Sequence, residues 1–258
     1  IGHVRIRVHQ NTNLPEADKS IVEAFIHARA AHDARGDLAW VGSEELESKP
    51  ADALLAGMDG VLVPGGFGER GMQGKILAAQ WARTHEVPYF GICLGMQAAV
   101  VEFARNVCGW PDANSDEFAP TSGHKVIDLL ADQVGVEQKG GTMRLGSYRC
   151  NLAPGSRAHA AYGTDVVHER HRHRYEFNNK LGPALISRGL AITGRCPNRD
   201  LVEIVEVPDH PWFVGVQFHP ELKSRPASPH PLFAAFVAAA LAHHEASRPS
   251  GSGVPVRR

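Results

Sequence analysis

The N-terminal half of the chain alternates short apolar runs with longer amphipathic segments. Residues 4–8 alternate apolar and polar side chains with a period of two, which is typical of a half-buried strand. Residues 60–64 are apolar throughout, as in a strand buried on both faces. The whole pattern predicts strands at residues 4–8, 38–41, 60–64 and 87–92, and helices at residues 14–31, 75–85 and 96–106. This alternation predicts a parallel sheet with helices on both faces.

The C-terminal half has a different pattern, which predicts antiparallel strands. Asp209, His210 and Pro211 predict a turn that joins the last two of these strands. The strand-like runs are residues 166–169, 201–207 and 213–218. We therefore expect the parallel sheet to continue into an antiparallel extension.

The end of the chain changes from a helical pattern to a tail. An alanine-rich helix is predicted over residues 232–243, whereas residues 247–258 are mainly Pro, Gly, Ser and Arg and have little to bury. The sequence contains neither an internal repeat nor a domain linker. We expect one α/β domain over residues 1–246, with an open, mostly parallel sheet, followed by a disordered tail.

Composition excludes several classes of partner. The chain has 258 residues, 27 Lys and Arg and 28 Asp and Glu, so its net charge is −1. This balance provides no electrostatic footprint for nucleic acid or an anionic membrane, and no apolar run approaches the roughly 20 residues of a membrane span. Four cysteines without a C-x-x-C pair favour free thiols in a reducing compartment. We expect a cytoplasmic protein, and the Ile at position 1 suggests a piece of a longer chain.

The segment with the clearest chemistry surrounds Cys93. Gly91 and Gly95 flank it in a G-x-Cys-x-G pattern between a predicted strand and a predicted helix. Glycines at these positions allow a sharp turn that exposes the central side chain, and the helix N-terminus beyond it stabilises a thiolate. Cys93 is therefore a candidate nucleophile, although a buried structural cysteine is an equal alternative from this motif alone.

A thiolate nucleophile needs a base, and the base needs a group that orients it. His219 ends the apolar run 213–218, and Glu221 follows two residues later. In an extended segment their side chains lie on the same side, which predicts that the carboxylate holds the imidazole. Without the cysteine motif, His219 would more often be a packed or solvated histidine.

A glycine run follows the buried strand at residues 60–64. Gly65, Gly66 and Gly68 could cradle a phosphate, but the run lacks the lysine and the Ser or Thr of a P-loop. The alternative use is donation of backbone N–H groups to an oxyanion. Beside a cysteine nucleophile we favour the second use.

Together these three motifs resemble those of class I (triad) glutamine amidotransferases, and more narrowly the C-terminal glutaminase domain of CTP synthases. Residues 113–118, 140–146 and 170–176 are also similar to the CTP synthase sequences. The resemblance covers roughly residues 54–239. It implies a flavodoxin-like α/β core with helices on both faces.

The resemblance also implies a reaction and a set of site residues. Cys93 would attack the side-chain amide of glutamine to form a γ-glutamyl thioester, and His219, oriented by Glu221, would protonate the ammonia and then activate water. Glu117 would meet the α-ammonium of glutamine, and Arg174 offers hydrogen-bond donors nearby. The implied residues are Cys93, His219 and Glu221 for catalysis, Gly66 and Leu94 for the oxyanion hole, and Gly66, Gln97, Glu117 and Arg174 for substrate binding.

Histidines are abundant, and three of them invite a metal interpretation. His168, His171 and His173 form a short His-rich tract, but this tract matches the substrate-side loop of the family and no cysteine neighbours it. We therefore predict no metal site. His210, His243 and His244 are predicted to be solvated surface residues.

The family resemblance also defines what this chain lacks. The synthase half of the family, with its ATP, magnesium and UTP sites, is absent from this sequence. The expected partners are therefore L-glutamine and a synthase domain. The full enzyme is expected to form homo-oligomers. No cofactor is expected in this chain itself, and GTP is the expected allosteric activator. Residues 9–12 replace the Gly-Lys-Tyr of the family, which bears on synthase docking and on the GTP response. Two alternatives remain: a free-standing γ-glutamyl amide hydrolase and a non-catalytic regulatory relative.

Overall fold

The computed structural model describes residues 3–10, 15–129 and 143–247. Twelve strands and eight α-helices lie within these ranges. The strands are β1 (His3–Gln10), β2 (Arg35–Gly42), β3 (Gly60–Val63), β4 (Tyr89–Ile92), β5 (Asn114–Ser115), β6 (Lys125–Leu129), β7 (Arg144–Leu152), β8 (Val166–His173), β9 (Tyr175–Phe177), β10 (Ala191–Cys196), β11 (Leu201–Glu206) and β12 (Phe213–Val216). The helices are α1 (Pro15–Ala31), α2 (Ser43–Ser48), α3 (Ala51–Leu55), α4 (Met72–Thr84), α5 (Leu94–Asn106), α6 (Arg157–Tyr162), α7 (Gly182–Ser187) and α8 (Pro231–Ala246). A short 3-10 helix covers Pro220–Lys223.

The predicted parallel sheet is confirmed. A nine-stranded sheet has the order β2-β1-β3-β4-β12-β11-β10-β7-β8, and the first five of these strands pair in parallel. Strands β3 and β4 are buried at every position, because helices cover both faces. Along β3, Val61 and Val63 pack in the cluster of α4, whereas Leu62 packs on the opposite face in the cluster of α1 and α8. The alternation of a strand therefore joins two cores.

The predicted antiparallel extension is also confirmed, and it curls back towards the parallel part. The strands from β12 through β11, β10 and β7 to β8 pair antiparallel. Three strands separate β12 from β8 in the sheet, yet the backbone N–H of His219 donates to the carbonyl of Arg170 in β8 at 2.8 Å. The sheet must therefore bend until its far edge meets the segment that follows β12.

Strand β8 is longer than the sequence pattern predicts. The predicted strand ends at residue 169, whereas the observed strand continues to His173 and pairs along its length with β7. The reason is that the buried side of β8 carries ionisable groups, so a hydrophobic pattern stops too early. The buried positions of β8 are Val167, Glu169, His171 and His173.

A buried ion cluster connects β7, β9 and β11. The guanidinium of Arg144 contacts Glu176 at 3.2 Å and Glu203 at 2.6 Å, and its side chain is fully buried. Burial raises the pKa of Glu176 and of Glu203, while the nearby arginine opposes that rise. Arg144 therefore compensates two carboxyl groups and holds together the strands behind the cleft described below.

A second sheet of three strands, β5-β6-β9, lies beside the large one. Strand β6 pairs in parallel with β5 and antiparallel with β9. Glu117 follows β5, and Arg174 lies between β8 and β9. The small sheet therefore brings these two charged residues from distant parts of the sequence to one side of the molecule.

The prediction that His210, His243 and His244 are solvated is wrong. His210 is buried: its Nε2 contacts the carbonyl of Ala82 at 3.1 Å, and its Nδ1 accepts the N–H of Trp212 at 3.1 Å. His210 thus fixes the turn before β12. His243 and His244 are partly buried beside the carboxylate of Asp59.

Some predictions fall on residues that the structure does not describe. These are the predicted tail at residues 248–258, residues 11–12 of the segment that differs from the family, and residues 140–141 of a segment that resembles it. The single-domain boundary at residue 246 also stays a prediction. None of the helices in the described ranges combines the length and the apolar character needed to span a membrane.

We expect Arg144→Met to lower the free energy of unfolding by about 3–5 kcal/mol, because it leaves two buried carboxyl groups without their cation. Urea denaturation checks this value. The control is Lys49→Met, which breaks the exposed pair of Lys49 with Glu45 and is expected to cost at most about 1 kcal/mol. Equal losses for the two variants would contradict the role of the buried cluster.

Candidate active site

Cys93 lies at a strained turn between β4 and α5. Its backbone has φ +52° and ψ −102°, a conformation that side-chain-bearing residues rarely adopt. The flanking glycines permit this turn. A Cβ on Gly95 would lie 2.0 Å from the carbonyl oxygen of Val63, and one on Gly91 would lie 2.7 Å from that of Gly95. The predicted sharp turn at Cys93 is therefore present, and neither Gly91 nor Gly95 has space for a side chain.

The turn places the sulfur at the N-terminus of a helix. Cys93 occupies the N-cap position of α5, where the backbone N–H groups of the first helical turn create a partial positive charge. Its own N–H donates to the carbonyl of Val216 at 2.7 Å, which ties the turn to the end of β12. The thiol is nevertheless buried, and it lines the cleft described below.

His219 and Glu221 form a hydrogen-bonded pair. Nδ1 of His219 lies 2.7 Å from Oε1 of Glu221, and both side chains are largely buried. The expectation of an extended segment is wrong, because Pro220–Lys223 forms a 3-10 helix directly after His219. The tight turn, rather than strand alternation, brings the carboxylate back onto the imidazole.

The imidazole of His219 and the side chain of Cys93 both pack against Gly65. A Cβ added to Gly65 would lie 2.7 Å from Cε1 of His219 and 3.5 Å from Cβ of Cys93. Burial alone lowers the pKa of His219, but the nearby sulfur of Cys93 and the carboxylate of Glu221 raise it to about 11. The arrangement therefore favours the protonated form of the His219 imidazole.

Gln217 is a candidate site residue that the sequence reasoning missed. Its Nε2 donates to the sulfur of Cys93 at 3.6 Å, and its Oε1 accepts from Nε2 of Gln97 at 3.2 Å. Gln217 precedes His219 by two residues at the end of an apolar strand, so strand alternation was an available signal. Its amide is a neutral donor, which stabilises a thiolate without supplying a second base.

A cleft opens in front of Cys93 and contains the predicted substrate residues. Arg174 borders it, and Nε of this arginine is buried without a hydrogen-bond partner among the described residues. Gln97 also borders it, but its amide nitrogen already donates to the carbonyl of Tyr175 at 3.1 Å as well as to Gln217. The lining residues are Gly66, Phe67, Cys93, Leu94, Gln97, Glu117, His173, Arg174 and Tyr175. The structure thus brings all five predicted oxyanion and substrate residues together with Cys93.

Two of the three histidines in the His-rich tract lie in the protein interior. His171 and His173 are buried and contact each other at 2.9 Å through Nδ1 and Nε2, whereas His168 is exposed. Burial lowers the pKa of His171 and of His173, so both rings are neutral. Within residues 3–10, 15–129 and 143–247, no group of three or more His, Cys, Asp or Glu has the arrangement of a metal site.

Comparison with known proteins shows the family to which the chain belongs. The model of the glutamine amidotransferase class-I family matches residues 13–239. The CTP synthase of Carboxydothermus hydrogenoformans is 57% identical over 234 residues, which are 91% of this chain and 44% of that protein. The CTP synthase of Geobacter metallireducens is 58% identical over 241 residues, which are 93% of this chain and 45% of that protein. The chain therefore spans about half the length of the curated relatives it matches.

A solved structure matches over nearly its whole length. The glutaminase domain of Trypanosoma brucei CTPS with bound acivicin superposes with a TM-score of 0.86 at 42% identity, covering 92% of this chain and 93% of that domain. The glutamine amidotransferase of Thermotoga maritima shares the fold at 12% identity and a TM-score of 0.55. Both the family model and the solved domain cover most of the sequence, and the chain therefore belongs to the class-I glutamine amidotransferase family, as a glutaminase domain of the CTP synthase type.

Proposed function

We propose that this chain hydrolyses L-glutamine to L-glutamate and ammonia. The observation that carries the proposal is that Cys93 lines the cleft of a class-I amidotransferase fold, while His219, paired with Glu221, packs beside Cys93 against Gly65. The sulfur is the nucleophile, the imidazole is the acid and base, and the carboxylate orients the imidazole. The role of each residue is inferred from its position and its chemistry.

The reaction proceeds in two halves. The thiolate of Cys93 attacks the side-chain carbonyl carbon of glutamine, and the oxyanion that forms accepts hydrogen bonds from the backbone N–H groups of Gly66 and Leu94. The C–N bond then breaks as His219 donates its proton to the departing ammonia, which leaves a γ-glutamyl thioester. In the second half, His219 removes a proton from water, the hydroxide adds to the thioester, and the C–S bond breaks to release glutamate and the thiolate.

The far end of the cleft suits the amino-acid head of glutamine. Arg174 offers its guanidinium, with a buried Nε that lacks a partner in the described part of the chain, to the α-carboxylate. Glu117 supplies a carboxylate for the α-ammonium. Gln97 borders the same space and also orients Gln217 towards the sulfur. Two opposite charges at fixed positions select a zwitterion.

The ammonia has a proposed destination outside this chain. The curated relatives are CTP synthases about twice as long as this chain, which supports a synthase domain as the partner. That domain would use ATP, magnesium and UTP, and the ammonia would aminate UTP to CTP. GTP activation, assembly into homo-oligomers and a cytoplasmic location are further parts of this proposal.

We expect Cys93→Ala to abolish the release of glutamate from glutamine while the fold stays intact. An enzyme-coupled glutamate assay, with and without GTP, measures the activity, and circular dichroism monitors the fold. The matched control is Cys108→Ala, because Cys108 lies beyond the end of α5 and outside the cleft. Equal rates for wild type and Cys93→Ala would remove the thiol from the mechanism. Absence of glutamate release from the wild type under both conditions would favour a non-catalytic relative.

We expect Arg174→Ala to raise the KM for glutamine with a smaller effect on kcat. The guanidinium is proposed to hold the carboxylate of the substrate, and it takes no part in bond cleavage. Steady-state kinetics over a range of glutamine concentrations checks this split. The matched control, Arg149→Ala, removes an exposed arginine side chain of β7, whose guanidinium bonds to Asn151 and lies outside the cleft. An unchanged KM in Arg174→Ala would exclude the substrate role.

We expect Glu221→Gln to shift the alkaline limb of the kcat/KM profile to lower pH. The carboxylate favours protonated His219, so its loss lowers the pKa of that imidazole from the raised value of about 11. The proton needed by departing ammonia is then lost at a lower pH. Glu245→Gln, at an exposed position near the end of α8, is the control. A limb that stays in place would show that Glu221 does not set the protonation of His219.

A further inference from the structure

Glu169 is a buried carboxylate that takes no direct part in the proposed reaction. Its side chain is fully buried in the middle of β8, and its Oε1 meets three donors from different parts of the chain. They are the hydroxyl of Tyr162 at 3.0 Å, Nζ of Lys223 at 3.0 Å and Nε2 of His230 at 3.2 Å. So many donors on one oxygen indicate an ionised carboxylate.

The hydrogen-bond geometry of His230 agrees with an ionised Glu169. Nδ1 of His230 accepts the N–H of Leu232 at the start of α8, so Nε2 carries the proton that points to Glu169. Burial alone would raise the pKa of Glu169, but His230 and Lys223 together hold it below its ordinary value. The anion is therefore a fixed anchor point in the interior.

One of these donors lies on the turn that carries Glu221. Lys223 is the last residue of the 3-10 helix Pro220–Lys223, and its ammonium binds both Glu169 and the carbonyl of His168. At the other end of the turn, the N–H of His219 donates to the carbonyl of Arg170 at 2.8 Å. The turn is thus fixed to β8 at both ends, with Glu221 between the two attachments.

This geometry suggests a function for the ion pair beyond stability. The Nδ1–Oε1 contact of 2.7 Å between His219 and Glu221 requires the turn to stay in register with β8. The backbone bond at Arg170 fixes where the turn begins, and Ser224, directly after the turn, contacts His27 of α1 at 3.1 Å and accepts the N–H of His230 at 3.2 Å. Only the side chain of Lys223 attaches the end of the turn to β8 through contacts in the described residues.

Building on the proposed glutaminase function, we propose that Glu169 and Lys223 are positioning residues. Their ion pair fixes the end of the Pro220–Lys223 turn and thereby holds the carboxylate of Glu221 against His219. A misplacement of about 1 Å at a catalytic group costs up to about a hundredfold in rate. The pair therefore acts on kcat through Glu221, while the residues that contact glutamine are unaffected.

The first test uses Lys223→Met, which keeps the apolar stem of the side chain and removes the ammonium. We expect kcat to fall about tenfold or more with little change in KM. In a Glu221→Gln background the same change should have no further effect, because the group that Lys223 positions is already lost. An equal fall in both backgrounds would overturn the proposal, and so would an unchanged kcat in Lys223→Met alone.

The matched control is Tyr162→Phe. This change removes another donor from the same oxygen of Glu169, but from α6 rather than from the turn. Thermal unfolding should show that the control loses stability, whereas its kcat should remain that of the wild type. A fall in kcat equal to that of Lys223→Met would mean that Glu169 has only a general structural role, and would overturn the proposal.

A second readout does not depend on turnover. The rate at which iodoacetamide alkylates Cys93, measured against pH, reports the protonation of His219 through the charge that the imidazolium places beside the sulfur. Lys223→Met should move this profile in the same direction as Glu221→Gln and by a smaller amount. A profile identical to that of the wild type would refute the positioning role. A wild type that is alkylated but releases no glutamate would instead refute the proposed function, so the two failures are distinguishable.

Discussion

The hydrogen bond from the N–H of His219 to the carbonyl of Arg170 joins two ends of one sheet. His219 follows the parallel strand β12, and Arg170 lies in β8 at the far edge of the antiparallel extension. The contact exists only because the extension curls through β11, β10 and β7. The ion pairs of Arg144 with Glu176 and Glu203 stabilise this bend from the interior. Glu176 lies in β9, which directly follows Arg174 at the cleft. The proposed catalytic pair, His219 and Glu221, and the proposed substrate-binding residue Arg174 therefore depend on the same bend.

The backbone strain at Cys93 is resisted by rigid surroundings. Cys93 keeps a positive φ because its N–H bonds to Val216 and because α5 packs tightly against the strands beneath it. The hydroxyl of Tyr89 adds a bond of 2.8 Å to the carbonyl of Gly95 inside this packing. The cost of such a conformation is about 1–3 kcal/mol, which a large core tolerates. The sulfur is consequently presented at the same position before any substrate arrives.

Local motifs were predictable, whereas features created by tertiary contacts were not. The sharp turn at Cys93 and the parallel strands follow from glycine spacing and apolar runs, which are properties of the sequence nearby. The pairing of His219 with Glu221 was anticipated for a wrong reason, since a 3-10 turn replaces the extended segment. The inward side of β8 carries charged groups whose burial depends on partners far away in sequence, so no hydrophobic period marks it. His210 was placed on the surface for the same reason, since its partner Ala82 lies 128 residues away.

The edge of the large sheet formed by β8 is covered by the turn that carries His219 and Glu221. A terminal strand usually presents unpaired backbone groups, which can recruit a strand from another molecule. In β8 the carbonyls of Arg170 and His168 point away from β7 and are occupied by His219 and Lys223. One segment therefore carries the proposed catalytic residues His219 and Glu221 and also covers part of this edge. If this turn detached from β8, the carbonyls of β8 would be free to pair with a strand of another molecule. Disruption of the proposed catalytic site would then favour self-association.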